Sequence, residues 1–514
     1  MELRLPQALT RRLPLLVFVC SGFLELLSYW GWHAPEVRVA ALAMLGAGAL
    51  ALAFLDLRWL FGLVLIEAVI GSHGRLFFAE VGGFSLSLRM VLFGILALGW
   101  VAHAARGCAR ILHFRHAHVS GPLLLLLSAI TLAAFRGASM GASFKEIFND
   151  ANGYAFLLLI PIGLDLFADR ASFAWLLRVL SGAVAWLSVK CVLLLYLFSH
   201  VFGSAFLLDV FKWQRKLGLT EITHLTGGAV RVFASSEVLL IPALFLGAFM
   251  AWEYRRRATL FWTALVAAAF LLSMSRSFWL GALVASAFML PVFVRFEIVP
   301  LASLGRLTKV AVVATALGAL LLLAAVLFPL PKPAQNAAAW SAYSGRLVDA
   351  SDAAVSSRWN MIAPLHDGIS ASPIIGSGFG AQITYQSDDP RMHDLYPGGK
   401  VTTGAIEWQY LEIWLKMGVL GLFAIIWLWW RIGLFFWKTL ETAQGADRLV
   451  AAGLMLSFLA FVVANIFTPY VNHPLGWMYL AVVVVGLHAS QEHEPPEHHE
   501  PPRPIRLRRS QDSR

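Results

Sequence analysis

Apolar runs long enough to cross a membrane recur along the whole chain, and they constrain its fold more than any other feature. Residues 310–328 form one such run, uninterrupted by any charge. A helical crossing needs about 20 predominantly apolar residues, and in lipid a helix satisfies its own backbone hydrogen bonds. The composition agrees, since 59% of the residues are hydrophobic and 14% are charged, against about 25% charged in soluble domains. The sequence therefore predicts an all-α polytopic membrane protein.

The hydrophobic pattern divides the chain into about 12 to 14 transmembrane helices and one large loop. We expect transmembrane helices 1–11 in residues 1–328, the large loop in 329–416, transmembrane helices 12–14 in 417–489, and a disordered cytoplasmic tail in 490–514. The third, fifth and sixth spans are short for a full crossing, so the count extends down to twelve. The fourteen predicted spans are residues 13–30, 37–55, 59–72, 88–105, 120–135, 153–168, 172–200, 235–252, 258–274, 277–294, 308–328, 417–437, 447–467 and 474–489.

The distribution of positive charge predicts the orientation. More than half of the 40 Lys and Arg residues fall in the tails and in loops of one side, including Arg255-Arg256-Arg257. Cytoplasmic loops carry such an excess, so both termini are predicted to be cytoplasmic and the large loop to face outward. The net charge of +10 is explained by this bias and does not call for a nucleic acid partner. The three cysteines have neither metal-ligand spacing nor a disulfide pattern.

Two outward arginines stand at the ends of predicted spans. Arg276 lies in Ser275-Arg276-Ser277, between two apolar segments with almost no loop. A guanidinium at this depth either binds an anionic substrate group or reaches a lipid phosphate. Arg231 lies just before the predicted span 235–252. It has the same two options and a third, an ion pair with Glu237.

The large loop carries most of the other candidate residues. Arg358 opens an apolar-periodic stretch that we expect to lie on the membrane surface. Glycines such as Gly378 permit close backbone approach to a ligand or a tight turn. Glu407, just before the next span, is a candidate general base, or else the partner of a loop arginine. Asp388-Asp389 with His393 could bind a divalent cation, although an acidic turn before Pro390 is the simpler reading. Further polar candidates in this loop are Arg346 and His366.

The order of these motifs resembles that of the O-antigen ligase and O-antigen polymerase family of bacterial envelope glycosyltransferases. The matching features are an arginine before a span at 231–236, Ser275-Arg276-Ser277 between two spans, Ser357-Arg358-Trp359 in the loop, a Pro-x-x-Gly-x-Gly-x-Gly run at 373–380, and the Lys-Met-Gly-Val-Leu-Gly-Leu helix at 416–422. The resemblance implies a GT-C type enzyme of the bacterial inner membrane with its active site in the periplasm. It also implies an undecaprenyl-pyrophosphate-linked glycan as donor, a glycan acceptor, and neither metal nor cofactor.

Carried over by motif, Arg276 and Arg358 are candidates to bind the pyrophosphate, with Arg231 as a third. Family ligases usually place a histidine at the start of the helix that carries the Gly-x-x-Gly motif, where this chain has Glu407. The predicted catalytic set is therefore Glu407, Arg276 and Arg358. The predicted substrate-binding set is Arg231, Arg346, His366, Gly378 and His393.

The carboxylate at this position favours a polymerase of O-antigen or exopolysaccharide repeat units, which would act by inversion. The first alternative is a ligase that moves the glycan to lipid A core or another acceptor. The second is a transporter or flippase of a lipid-linked substrate, which would place ionisable groups such as Arg178 and Lys190 within the membrane. Other polysaccharide assembly proteins, such as a chain-length regulator, are candidate partners of the polymerase.

Overall fold

The computed structural model describes residues 7–107, 119–225, 229–333, 353–388 and 396–491. These residues form eighteen α-helices and three small antiparallel hairpins. The helices are α1 Gln7–His33, α2 Pro35–Leu55, α3 Leu57–Gly71, α4 Leu88–Ala105, α5 Ser120–Ser139, α6 Phe144–Ala151, α7 Leu159–Leu166, α8 Arg170–Ser199, α9 Ser204–Lys216, α10 Leu240–Tyr254, α11 Arg257–Leu272, α12 Arg276–Arg295, α13 Leu301–Leu327, α14 Ala353–Asn360, α15 Ile362–Ala371, α16 Gln409–Thr442, α17 Gly445–Ala464 and α18 Pro474–Ser490. The strands pair as β1 Phe78–Val81 with β2 Phe84–Ser87, β3 Glu221–His224 with β4 Val230–Phe233, and β5 Ile383–Gln386 with β6 Lys400–Thr403.

Every predicted span corresponds to a helix or to a run of helices. Among the described residues, 11 helical segments are long and apolar enough to cross a membrane, and α11 and α18 are shorter apolar helices. The predicted span 59–72 is α3, and the predicted span 153–168 belongs to a composite helical segment, Phe144–Leu166. The prediction of an all-α polytopic membrane protein is confirmed. The predicted tail lies almost wholly outside the described residues, and the predicted start of span twelve at 417 falls inside α16.

The last helix forms the centre of the bundle. Nearly every residue of α18 is buried, including Trp477 and Tyr479. A helix that is apolar on all sides is expected in an interior position, and α18 packs against α7, α8, α17 and the 3-10 turn Asn152–Leu158. Helix α18 therefore lies in the interior of the bundle.

Charged groups inside the bundle occur as close pairs. The Lys190 Nζ atom lies 2.5 Å from a Glu25 carboxylate oxygen, and Trp186 Nε1 donates to the other oxygen at 2.7 Å. Arg89 Nε donates to Glu67 at 2.7 Å, with both side chains buried. Because an isolated charge in lipid is costly, these pairs join α8 to α1 and α4 to α3. Lys190, one basis of the transporter alternative, thus has a structural partner.

Helix α16 is interrupted near its start. Gly418 has φ 65° and ψ −167°, so the helix turns sharply between Lys416 and Val419. The loop segment 373–376 occupies this turn: Val419 N donates to Pro373 O at 3.1 Å, and a Cβ atom on Gly418 would overlap the Ile374 carbonyl. The large loop is thereby packed into the helix bundle at this point.

We predict that Gly418→Ala strongly lowers the thermal stability of the purified protein. The positive φ costs a non-glycine residue about 1–3 kcal/mol, and the overlap with Ile374 adds to that cost. Gly433→Ala is the matched control, because Gly433 lies in the same helix with nothing within 4 Å of its Cβ position. The melting midpoint in detergent should fall for the first variant and hold for the second; equal midpoints would contradict this account of the turn.

Candidate functional site

The segment 465–473, between α17 and α18, joins several loops, and we call it the hub segment. Its Thr468 Oγ1 lies 2.9 Å from Ser277 Oγ. Tyr470 OH donates to Ser235 O at 3.0 Å. Gln409 contacts the hub segment twice, accepting from the Val471 N–H at 2.9 Å and donating to the Asn472 side chain at 2.8 Å. Ser277, Ser235 and Gln409 are close in sequence to Arg276, Arg231 and Glu407, so the hub segment links the three segments that carry these predicted site residues.

Arg231 and Arg276 come together at the start of α12. Arg231 extends from β4, and its Nε atom donates to Ser273 O at 2.8 Å. Its guanidinium also lies 4.8 Å from the centre of the Phe233 ring. Ser273 belongs to the turn that leads into Arg276, the first residue of α12. The structure therefore places both arginines beside the same helix N-terminus.

The start of α12 combines two sources of positive potential. The N-terminus of a helix carries roughly half a positive charge from its aligned peptide dipoles. A cation at this end opposes the dipole, yet Arg276 is the first helical residue and is only half-buried. An anion is favoured by both the dipole and the guanidinium, which fits the predicted role of Arg276 in binding a phosphate group.

Arg358 and Glu407 form an ion pair across the large loop. The Arg358 Nε atom donates to a Glu407 carboxylate oxygen, and the two side chains are 40% and 44% exposed. Trp408 supports the pair, because its Nε1 atom donates to Arg358 O at 2.8 Å. Trp408 also contacts Phe467 of the hub segment, with ring centres 5.5 Å apart. The pair thus connects to the same hub segment as Arg276.

The remaining predicted residues have other positions. The Gly378 backbone lies against Gly137 of α5, where a Cβ atom would overlap the neighbouring backbone, so its close approach is to another part of the protein. His366 is exposed on α15, and its Nδ1 atom lies 3.6 Å from an Asp367 carboxylate oxygen. None of the contacts given above joins Gly378 or His366 to Arg231, Arg276 or Arg358. Arg346 and His393 lie outside the described residues, as does Asp389, while the Asp388 carboxylate contacts Ser356 and Asn360.

A buried charge cluster beneath the loop escaped the sequence predictions. The Lys416 ammonium donates to Asp150 at 2.8 Å, to Glu412 at 2.6 Å and to Gly404 O at 2.7 Å. Asp150 in turn accepts the Gly380 N–H at 2.7 Å. The spacing of Glu412 and Lys416, four residues apart on one helix, was an available signal for half of this cluster. Nothing in the sequence connects Asp150 to it.

His473, the last residue of the hub segment, meets a second histidine, His73. His73 Nε2 lies 3.0 Å from Ser235 Oγ, and its ring centre is 5.3 Å from that of His473. Loss of solvation lowers the pKa of His73 and of His473, and the positive charge of Arg89 lowers both further. Sequence reasoning missed them because they come from opposite ends of the chain.

The fold and the residues around the hub segment define a class of protein. It is a multi-pass helical membrane protein with cationic side chains where its spans end. Residues 260–426 match the model of the Wzy_C family, described as O-antigen ligase. The match includes Arg276, Arg358, Glu407 and Lys416, and it supports the resemblance to the O-antigen ligase and polymerase family. Arg231 and the hub segment lie outside the matched residues. A search of curated proteins found no match.

We predict that Lys416→Met destabilises the protein by about 3–5 kcal/mol, because it leaves the buried Glu412 and the half-buried Asp150 without their cation. Lys438→Met is the matched control, since Lys438 lies in the same helix and is exposed. Thermal unfolding in detergent, followed by the loss of monodisperse protein, measures both. A Lys416→Met protein as stable as the Lys438→Met protein would show that the cluster does not hold the loop to the bundle.

Proposed function

We propose that this protein is a membrane glycosyltransferase that polymerises undecaprenyl-pyrophosphate-linked repeat units at the periplasmic face of the inner membrane. The family assignment supports a membrane glycan-processing function. The observation that carries the finer proposal is the convergence on the hub segment of Arg231, Arg276 and the Arg358–Glu407 pair. Three guanidinium groups and one carboxylate match the needs of glycosyl transfer from a lipid diphosphate.

In this proposal the polyprenyl chain lies between spans and the pyrophosphate lies at the loop face. Arg276 and Arg231, beside the N-terminus of α12, bind the pyrophosphate with Arg358. Guanidinium groups suit this role because they hold phosphate oxygens with paired hydrogen bonds and stay charged. As the leaving group departs, the growing negative charge on the pyrophosphate is stabilised by these fixed cations.

The acceptor is a sugar hydroxyl, and Glu407 takes its proton. The hydroxyl oxygen forms a bond to the anomeric carbon while the bond from that carbon to the pyrophosphate oxygen breaks. The electron pair of the broken bond stays on the pyrophosphate. A single displacement of this kind inverts the configuration at the anomeric carbon.

The second candidate is a ligase that transfers the same glycan to lipid A core or another acceptor. The description of the matched family as O-antigen ligase favours it. The carboxylate of Glu407, where family ligases usually carry a histidine, favours the polymerase. Both candidates use the same donor and the same arginines, so they differ only in the acceptor.

Deletion of the gene, followed by gel analysis of surface and lipid-linked glycan, tests the proposal. We expect the deletion strain to show glycan of a single repeat unit, because the polymerising step is lost. Long polymer that is not attached to its acceptor would instead indicate the ligase. Glycan indistinguishable from that of the parent strain would contradict both candidates.

Complementation of the same strain tests the site. Arg276→Ala should fail to restore polymer while the protein is still inserted in the membrane, because the pyrophosphate loses a principal cation. Arg295→Ala at the other end of α12 should restore it fully; Arg295 is exposed and lies beside Glu441. Restoration by Arg276→Ala would remove the proposed pyrophosphate site.

A further inference from the structure

In the ion pair between Arg358 and Glu407, each side chain is engaged by the other. Under the proposed function, Arg358 binds the donor and Glu407 accepts a proton from the acceptor. In the structure the guanidinium donates to the carboxylate instead. The carboxylate that accepts this hydrogen bond is a weaker proton acceptor, and the Arg358 Nε–H group that donates it is not free for a phosphate. Both proposed roles are therefore weakened while the pair is closed.

We infer that the donor pyrophosphate opens this pair by taking Arg358 away from Glu407. The inference rests on the proposed function and specifies how the same site is regulated. A pyrophosphate carries more negative charge than a single carboxylate and offers more acceptor oxygens to the guanidinium fork. Donor binding thus frees the base, and the acceptor is activated only when a donor is in place.

The surroundings of the pair permit this exchange. Both side chains are partly exposed, at 40% and 44%, so the pair is not held by burial. The backbone is better fixed, since Trp408 Nε1 donates to Arg358 O at 2.8 Å and the Trp408 ring meets Trp359 edge-on at 5.1 Å. Rotation of the Arg358 side chain alone would suffice, while the indole keeps the two residues close.

The exchange also fits the energetic scale of such a pair. Partly exposed ion pairs contribute about 0–1 kcal/mol, which is equivalent to at most about fivefold in affinity. Hydrogen bonds to charged groups contribute about ten- to a hundredfold in affinity. A diphosphate bound by Arg358 together with Arg276 can therefore displace Glu407 without disturbing the rest of the loop.

The test is the affinity of the full-length protein for undecaprenyl diphosphate without glycan. The protein is placed in nanodiscs of zwitterionic lipid, and binding is measured by native mass spectrometry. We expect Glu407→Gln to bind about two- to fivefold more tightly than wild type, because Arg358 no longer has a competing partner. We expect Arg358→Gln to bind at least about tenfold more weakly, because the ligand loses charged hydrogen bonds.

Two controls separate the pair from general electrostatics. Asp388→Asn removes another carboxylate of the large loop, one that contacts Ser356 and Asn360, and it should leave the affinity close to that of wild type. In the Arg358→Gln background, adding Glu407→Gln should give no gain, because the two changes act through one interaction.

Unchanged or weaker binding by Glu407→Gln would overturn the inference, as would equal tightening by Asp388→Asn or by Glu407→Gln in the absence of Arg358. Each of these results leaves the proposed donor intact if Arg358→Gln still weakens binding. A wild-type protein that does not bind undecaprenyl diphosphate would overturn both the inference and the proposed donor. Failure of the inference and failure of the function are thereby distinguishable.

Discussion

The arrangement of the loop face depends on the hydrogen bonds and ion pairs of the Lys416 ammonium group. A buried lysine is tolerated only when it is paired and its hydrogen bonds are satisfied. Lys416 meets this requirement through Asp150, Glu412 and the Gly404 carbonyl. Gly404 lies three residues before Glu407, so the partner that satisfies the buried charge also fixes the chain that leads to the proposed base.

The glycine-rich run of the large loop complements this anchor. Gly376 and Gly378 both have positive φ, and each lies where a Cβ atom would overlap neighbouring backbone. Gly376 packs at the turn in α16, and Gly378 packs on α5. The adjacent Phe379 is buried, and its N–H donates to Ala133 O at 2.9 Å. Close packing of backbone and a buried ring thus hold the loop between two helices, next to the charge cluster.

The long apolar runs were sufficient to predict the helices. A span in lipid satisfies its own backbone hydrogen bonds as a helix, so each span appears in the sequence as one local apolar run. The order of motifs was sufficient to predict the match to the O-antigen ligase family model. Contacts between distant segments left no such signal. Glu407 and Glu412 are five residues apart, yet Glu407 lies before α16 and meets Arg358, whereas Glu412 meets Lys416. The sequence offered this ion pair as one of two readings, and only the fold shows that it forms.

The hub segment shows most clearly which contacts the sequence does not predict. Residues 465–473 carry no motif; the sequence predicts 465–467 as the end of one span and 468–473 as a short connection to the next. Their importance comes from tertiary packing, which sets Thr468 against Ser277 and Tyr470 against Ser235. The meeting of His73 with Ser235 beside this segment has the same origin. Such contacts join residues 162 to 235 positions apart, so no local pattern predicts them.

The central claim is that the protein by itself transfers glycan from one lipid diphosphate to another. The most direct test reconstitutes the purified protein in liposomes with undecaprenyl-pyrophosphate-linked repeat units as the only substrate. The account predicts lipid-linked products in whole multiples of the repeat unit with wild-type protein, and only the single unit with Glu407→Gln. Wild-type protein that leaves the single unit unchanged, or Glu407→Gln that elongates it at the wild-type rate, would contradict the account.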